Sequence, residues 1–284
     1  MTYAVAGPAD GRPVLLICGG GGAMWSWGRL HPAFAAERPD LLMPRGEALA
    51  DRRVATFDQA GVGASVAVPA VTSAEAYARD ALAVGRRALG ERFAVVGISL
   101  GGAAALQLAL AEPGHVSALV LVATFAGLSS FADHDLPDPP PPPDPPPGAP
   151  AADERLRSEA IEVAASFGPT FPAIEPALFW EVVRRSAATP TAPGLADSQI
   201  AQFVSHDVTD RLGELSVPTV VVGGELDRTM PLGNTRLLAE RIPGAALDVV
   251  AGAGHALHLE APERIGAALT SAIGRAGPAP SPPG

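Results

Sequence analysis

Residues 93–110 read Phe-Ala-Val-Val-Gly-Ile-Ser-Leu-Gly-Gly-Ala-Ala-Ala-Leu-Gln-Leu-Ala-Leu, and no other stretch restricts the chain so tightly. An apolar, β-branched run ends at Gly97, Ser99 follows two places later, and small residues then open an apolar helix. A strand that turns at once into a helix strains the backbone of the residue at its apex. Glycines on either side keep side chains out of the bend. G-x-S-x-G in this setting has the form of a nucleophile elbow. It carries the Ser99 hydroxyl to the carboxyl end of a strand, beside a helix N-terminus whose free N–H groups favour developing negative charge. The five-residue pattern alone fits a plain Gly/Ser turn equally well. The strand–turn–helix order around it selects Ser99 as the candidate nucleophile.

The flanking elements repeat one rhythm. Residues 14–17, 54–57 and 116–123 are short apolar runs bounded by turn signals, as expected of buried parallel strands. Between them, residues 25–36 predict a short helix. Thr72-Ser-Ala-Glu75 reads as a capping box for a helix that aligns Tyr77, Ala81, Val84 and Ala88 on one face. Alternation of strand and helix is the mark of a wound, parallel α/β sheet. The rhythm breaks at Phe125. Residues 137–150 are dominated by proline, which supplies no ladder donors, so this tract is excluded from the sheet and reads as an extended spacer or as a ligand for an aromatic groove. Three amphipathic segments follow, at residues 155–167, 175–187 and 196–204. The sheet pattern resumes with strands at 218–222 and 246–250 and helices at 234–241 and 262–275. Residues 1–124 and 214–275 are therefore read as a core, 125–213 as an inserted cap and 276–284 as a disordered tail.

Composition removes whole classes of function. The net charge of −10 argues against nucleic acid or an anionic membrane as partner. All 20 basic residues are arginine, so no lysine can form a Schiff base or serve a P-loop. The single cysteine, Cys18, allows no intramolecular disulfide and no cysteine-rich metal site. No run approaches the ~20 apolar residues of a membrane span, and the first residues lack the form of a signal peptide, so the expectation is a cytoplasmic protein. Neither a metal nor a cofactor is expected. The oligomeric state stays open, with a homo-oligomer compatible.

A serine hydroxyl needs a base, and the base needs an orienting partner. Of the six histidines, His255 follows a strand in the glycine-rich loop Ala251-Gly-Ala-Gly-His255 and is the candidate base, with His258 as its rival. His255-x-x-His258 lacks the further ligands of a metal site. In the chain order Ser…Asp/Glu…His the acid should lie between them. Asp227, a short turn beyond the strand at 218–222, is the candidate, and Glu225 is the alternative. The residue after the strand at 116–123 is Thr124, which is not acidic. Oxyanion donors are expected from the backbone N–H of Leu100 and of Gly20, the latter in the run Cys18-Gly-Gly-Gly-Gly22. That run matches no phosphate-binding glycine motif.

Together, the 18–22 loop, Asp58-Gln-Ala-Gly61-Val-Gly63-Ala-Ser65, the elbow at 97–102, and Gly223-Gly-Glu-Leu-Asp227 with Gly254-His255 resemble the α/β-hydrolase superfamily. The resemblance covers about residues 3–124 and 214–275. It implies a mostly parallel eight-stranded sheet with helices on both faces, a helical cap after the sixth strand and no cofactor. Many such proteins carry His where Cys18 stands and Arg where Ala60 stands. A Ser99 nucleophile in place of Asp argues against the dehalogenase and epoxide-hydrolase branches. The expected activity is hydrolysis of an ester, lactone or thioester, with Phe167, Phe171, Phe179, Trp180 and Phe203 suggesting either an apolar acyl pocket or the cap's own core. The alternatives are a C–C bond hydrolase or a lyase/cyclase on the same fold, and a non-catalytic ligand binder.

Overall fold

Along the central strands successive residues feed opposite faces of a sheet, the consequence of a side-chain period of two. Leu15, Ile17, Val95, Leu119, Leu121 and Val221 pack on one side, and Val14, Leu16, Val96, Val120 and Val222 on the other. The computed structural model describes residues 1–34, 49, 51–145 and 154–276. Its strands are β1 (Tyr3–Ala6), β2 (Arg12–Ile17), β3 (Arg52–Phe57), β4 (Phe93–Ile98), β5 (Val116–Val122), β6 (Thr219–Gly224) and β7 (Ala246–Val250). They form one sheet in the order β1-β3-β2-β4-β5-β6-β7. Only β1 runs antiparallel, against β3; the other pairs are parallel. The expected α/β-hydrolase fold is the fold observed, with seven strands among the described residues where the resemblance implied eight.

Helices cover both faces. On one lie α1 (Ala74–Leu89), α2 (Leu100–Ala111) and, beyond the insertion, α7 (Leu232–Arg241). On the other lie the short α8 (Leu257–Glu260) and α9 (Pro262–Arg275), whose Ile265, Leu269 and Ile273 meet Val120 and Val222 in one cluster with Trp27 and Leu30. Two local expectations are corrected. The cap of α1 is Ser73, whose hydroxyl accepts from Ala76 N–H at 3.2 Å, and not Thr72; Glu75 instead accepts from Gln107 Nε2 at 2.9 Å. The helix predicted from residue 25 is two 3-10 turns, Met24–Arg29 and Pro32–Phe34. Its expected end at residues 35–36 lies outside the described residues.

Between β5 and β6 stand α3 (Glu154–Ala165), α4 (Phe171–Ile174), α5 (Pro176–Ala188) and α6 (Leu195–Ser205). Ala160, Val163, Phe167, Leu178, Phe179 and Val182 cluster with Ala256 and Leu259, which follow β7. The helical segment therefore rests its apolar side directly on the loop that carries His255. Residues 131–145 hold no helix or strand. The proline tract lies back along the molecule: Arg228 Nε donates to Pro137 O at 2.9 Å, and Trp180 Nε1 to the carbonyls of Pro143 and Asp144, both at 3.2 Å. Residues 146–150 of the tract and 277–284 of the expected tail lie outside the described residues.

The sheet order places the site. Chain progression reverses at β2, which has β3 on one side and β4 on the other. The loops leaving β2 and β4 at their carboxyl ends therefore diverge and open a crevice. Those loops are the glycine run and the elbow.

Candidate active site

The elbow is built by crowding. Ser99 has φ 56° and ψ −125°, a left-handed value rare for a residue with a Cβ. Its N–H donates to Val122 O at 3.0 Å. Its carbonyl accepts from Gly102 N–H at 2.8 Å, Ala103 N–H at 3.1 Å and the Thr124 hydroxyl at 2.7 Å. These bonds hold the strained residue from both sides. A Cβ on Gly97 would lie 2.4 Å from Gly101 O, and one on Gly101 would lie 2.3 Å from Cys18 O. Both glycines are therefore required by backbone approach, as the sequence pattern demands. Leu100 is the first residue of α2, so its N–H is one of those a helix leaves without an internal acceptor.

Across the crevice, Tyr77 Oη donates to Cys18 O at 2.9 Å and Trp27 Nε1 to Cys18 Sγ at 3.0 Å. Burial pushes the Cys18 thiol up to about 12, which removes it as a nucleophile. Gly22 N–H closes a turn on Gly19 O at 3.1 Å, and Gly21 takes φ 68°. Gly20 is thereby lifted over the elbow, with the Leu100 side chain beside it: a Cβ there would come within 3.1 Å of Leu100 Cδ1. Asp58 fixes the far side of this loop, accepting from Met24 N–H and Ala64 N–H, both at 2.8 Å.

Asp227 follows β6 and is buried. Its Oδ1 accepts from the N–H groups of Thr229 and Met230, both at 2.8 Å, and its Oδ2 lies 2.9 Å from His255 Nδ1. Leu226 N–H donates to Ala253 O at 2.8 Å, tying the loop of Asp227 to that of His255. Glu225 faces elsewhere, bracing Gly252 N–H at 2.9 Å. Burial would lower the basicity of His255, but the charge and hydrogen bond of Asp227, aided by Glu260, outweigh it and raise its pKa. His258 is the opposite case. Burial and the neighbouring His255 push it down to about 3, and its ring packs on Trp27 at 5.3 Å.

Ser99 and His255 line one cavity of about 230 Å³, together with Gly19, Gly20, Trp25, Phe167 and Val182. A larger opening of about 600 Å³ contains neither Ser99 nor His255. Of the five aromatic residues singled out in 125–213, only Phe167 reaches the cavity; Phe171, Phe179 and Trp180 pack among the helices and Phe203 against Phe125. Among the described residues no cluster of His, Cys, Asp and Glu is placed to hold a metal ion, and no helix is long and apolar enough to cross a membrane.

A family model described as alpha/beta hydrolase fold matches residues 12–262. The chain belongs to the α/β-hydrolase fold family. The RutD protein of Rhizobium rhizogenes, named for carbamate hydrolysis, is 27% identical over 264 residues, covering 89% of each chain. A hydrolase of Pseudomonas aeruginosa is 25% identical in sequence, with a TM-score of 0.72 over 96% of this chain and 93% of that one. A thermophilic esterase of Thermogutta terrifontis superposes with a TM-score of 0.70 at 24% identity, covering 98% and 94%. The protein is thus a hydrolase-family enzyme by relationship.

Two residues of this hydrolase escape a reading of its sequence. Thr124 bonds the Ser99 carbonyl from 25 positions away, and only the structure brings them together. Glu260 is a carboxylate set among the apolar Leu257, Leu259, Ala261 and Pro262, a signal that could have been noticed. Its Oε1 accepts from Gly254 N–H at 3.0 Å and its Oε2 from Gly168 N–H at 2.9 Å.

Proposed function

We propose that the protein is a serine hydrolase that cleaves a small ester, lactone or thioester through an acyl-enzyme. The carrying observation is that the strained Ser99 opens into the same cavity as His255, whose Nδ1 is held 2.9 Å from the buried Asp227. With Nδ1–H given to the carboxylate, Nε2 is the nitrogen left to take a proton. His255 removes the Ser99 proton as Oγ attacks the carbonyl carbon. The resulting oxyanion is held by the N–H groups of Gly20 and Leu100. His255 then protonates the leaving group as the C–O or C–S bond breaks, and a water, deprotonated in turn by His255, releases the acid and restores Ser99.

A cavity of about 230 Å³ is below the ~300–1,000 Å³ usual for drug-sized ligands, which favours a short acyl group. Apolar walls from Phe167 and Val182 favour the same. Because related proteins are named for carbamate hydrolysis, a small carbamate, attacked at its carbonyl in the same way, joins the substrates to be tried. The test is intact-mass detection of a fluorophosphonate adduct. One adduct on the wild type and none on Ser99→Ala is expected. An unlabelled wild type, or labelling that survives the substitution, rejects the reading.

A further inference from the structure

The histidine loop and the helical segment over it are stitched at three points within a few residues. Ala256 N–H donates to Ser166 O at 2.8 Å. Gly254 N–H and Gly168 N–H donate to the two oxygens of Glu260, at 3.0 and 2.9 Å. Both neighbours of His255 are therefore fixed to the turn at 166–168, one directly and one through a carboxylate. The contact leaves no room for slack: a Cβ on Gly254 would lie 2.4 Å from the carbonyl carbon of Phe167, and one on Gly168 2.1 Å from Gly252 O. Phe167, between the two bonded residues, also walls the cavity.

We propose that Glu260 is a positioning residue, its carboxylate clamping the turn at Gly168 to the loop of His255 so that cavity wall and imidazole are seated together. The proposal rests on the serine-hydrolase reading for its catalytic consequence, and on backbone geometry for the clamp. A carboxylate is the side chain suited to the task, since each oxygen can accept a separate N–H without offering a competing donor. The charged groups acting on it are Asp227, from the loop after β6, and His255, while Arg29 reaches the adjoining turn at Leu259 O. The Gly168 amide faces it from the helical segment. Burial, opposed by its two amide bonds, raises Glu260 to about 7, so the clamp passes from carboxylate to carboxyl within the pH range of the assay. Once protonated, one oxygen becomes a donor and one of the two bonds weakens.

The test uses the full chain as wild type, Glu260→Gln and Glu260→Asp. Backbone amide shifts of Gly168 and Gly254, and the His255 ring, are followed by NMR between pH 5 and 9. In the wild type both glycine amides should move with one shared midpoint near the Glu260 value of about 7. In E260Q that shared titration disappears and the His255 midpoint falls, because a neighbouring negative charge is gone. E260D keeps the charge and the His255 midpoint, but is too short to reach both amides. With p-nitrophenyl acetate as probe, kcat of E260Q should drop about 10- to 100-fold, as expected for a displaced catalytic group, with KM moving less. Glycine amides that titrate independently, or identically in E260Q, overturn the clamp, as does an E260Q of wild-type kcat. A wild type whose amides titrate together but which takes no fluorophosphonate rejects the hydrolase reading and leaves the clamp standing.

Discussion

Ser99 at φ 56° costs of order 1–3 kcal/mol, and the hydrogen bonds to its carbonyl and N–H are what hold it there. The same economy of position governs His255. Its ring is useful only if Nδ1 is occupied, and Asp227, itself fixed by two amides, occupies it. Asp227→Asn is expected to leave the fold intact and lower kcat by about 10⁴, the size of the effect when an orienting acid is replaced in a serine protease; burst-phase ester kinetics measure it. Because the pKa of His255 is raised and the base must be neutral, kcat/KM should rise with a midpoint above the ordinary 6.5. A profile flat from pH 5 to 8 would contradict this. The sign for stability is opposite. Raised values for His255 and for Glu260 favour the folded state fully only below the unfolded values and are lost as pH rises towards the folded ones. Urea midpoints of the wild type should therefore decline between pH 5 and 8, and less so in E260Q. Ser99, Asp227 and His255 stand out in the sequence as candidates because each follows a strand within a turn of distinctive residues, and the fold brings Ser99 and His255 to one cavity with Asp227 against His255. Thr124 is not legible, and Glu260 shows only as an acid among apolar neighbours, since the bonds to Ser99 and to Gly168 join residues that only folding brings near.

At the level of elements, β2 and β4 run side by side with Ile17 opposite Gly97, so their continuations meet as Gly19 and Ser99. Short apolar runs are enough to read the six parallel strands: β2 to β6 are largely buried on both faces, and the edge strand β7 is marked by Leu247, Val249 and Val250. β1 escapes notice: it has four residues, pairs only at the edge, and alternates exposed with half-buried positions. The capping box misleads by one residue because Ser73 and Thr72 are both good caps, and Glu75 is drawn away by Gln107. A length of backbone bonding in tight 3-10 turns at Met24–Arg29 has the same apolar content as a helix, which is why periodicity alone predicts one. The strand–elbow–helix unit also depends on β5. Thr124, just past that strand, donates to Ser99 O, and a Cβ on Gly102 would lie 2.5 Å from Thr124 Cβ. Thr124→Val keeps the shape and removes the donor. It should cost about 1 kcal/mol of stability and lower kcat while leaving KM nearly unchanged; thermal denaturation with steady-state kinetics checks both.

Over the whole molecule, two apolar masses meet at the loop that carries His255: the sheet with its flanking helices, and the cluster around Phe167 and Phe179. The seam between them is backbone against backbone, with Gly168 and Gly254 at its closest points. The proline tract runs over the outside, from Arg228, next to Asp227, to Trp180 on α5, so it ties the same two masses together at a second place. Proline content excludes the tract from the sheet, but nothing in its composition says that it would lie on its own tryptophan. A seam of this kind makes a definite demand. Gly168→Ala adds a single methyl that must find 2.1 Å of space against Gly252 O, where no flexible side chain can yield. The helical segment has to move off the loop. Overpacking of this sort costs about 1–3 kcal/mol, roughly 2–4 °C in Tm for each kcal/mol in a chain this long. Hydrogen exchange should then rise along α3 to α5 and in the loop at 252–256, while the central strands keep their protection. Equal loss of protection in strands and helices would mean that the two masses unfold as one body and that the seam is not where they part.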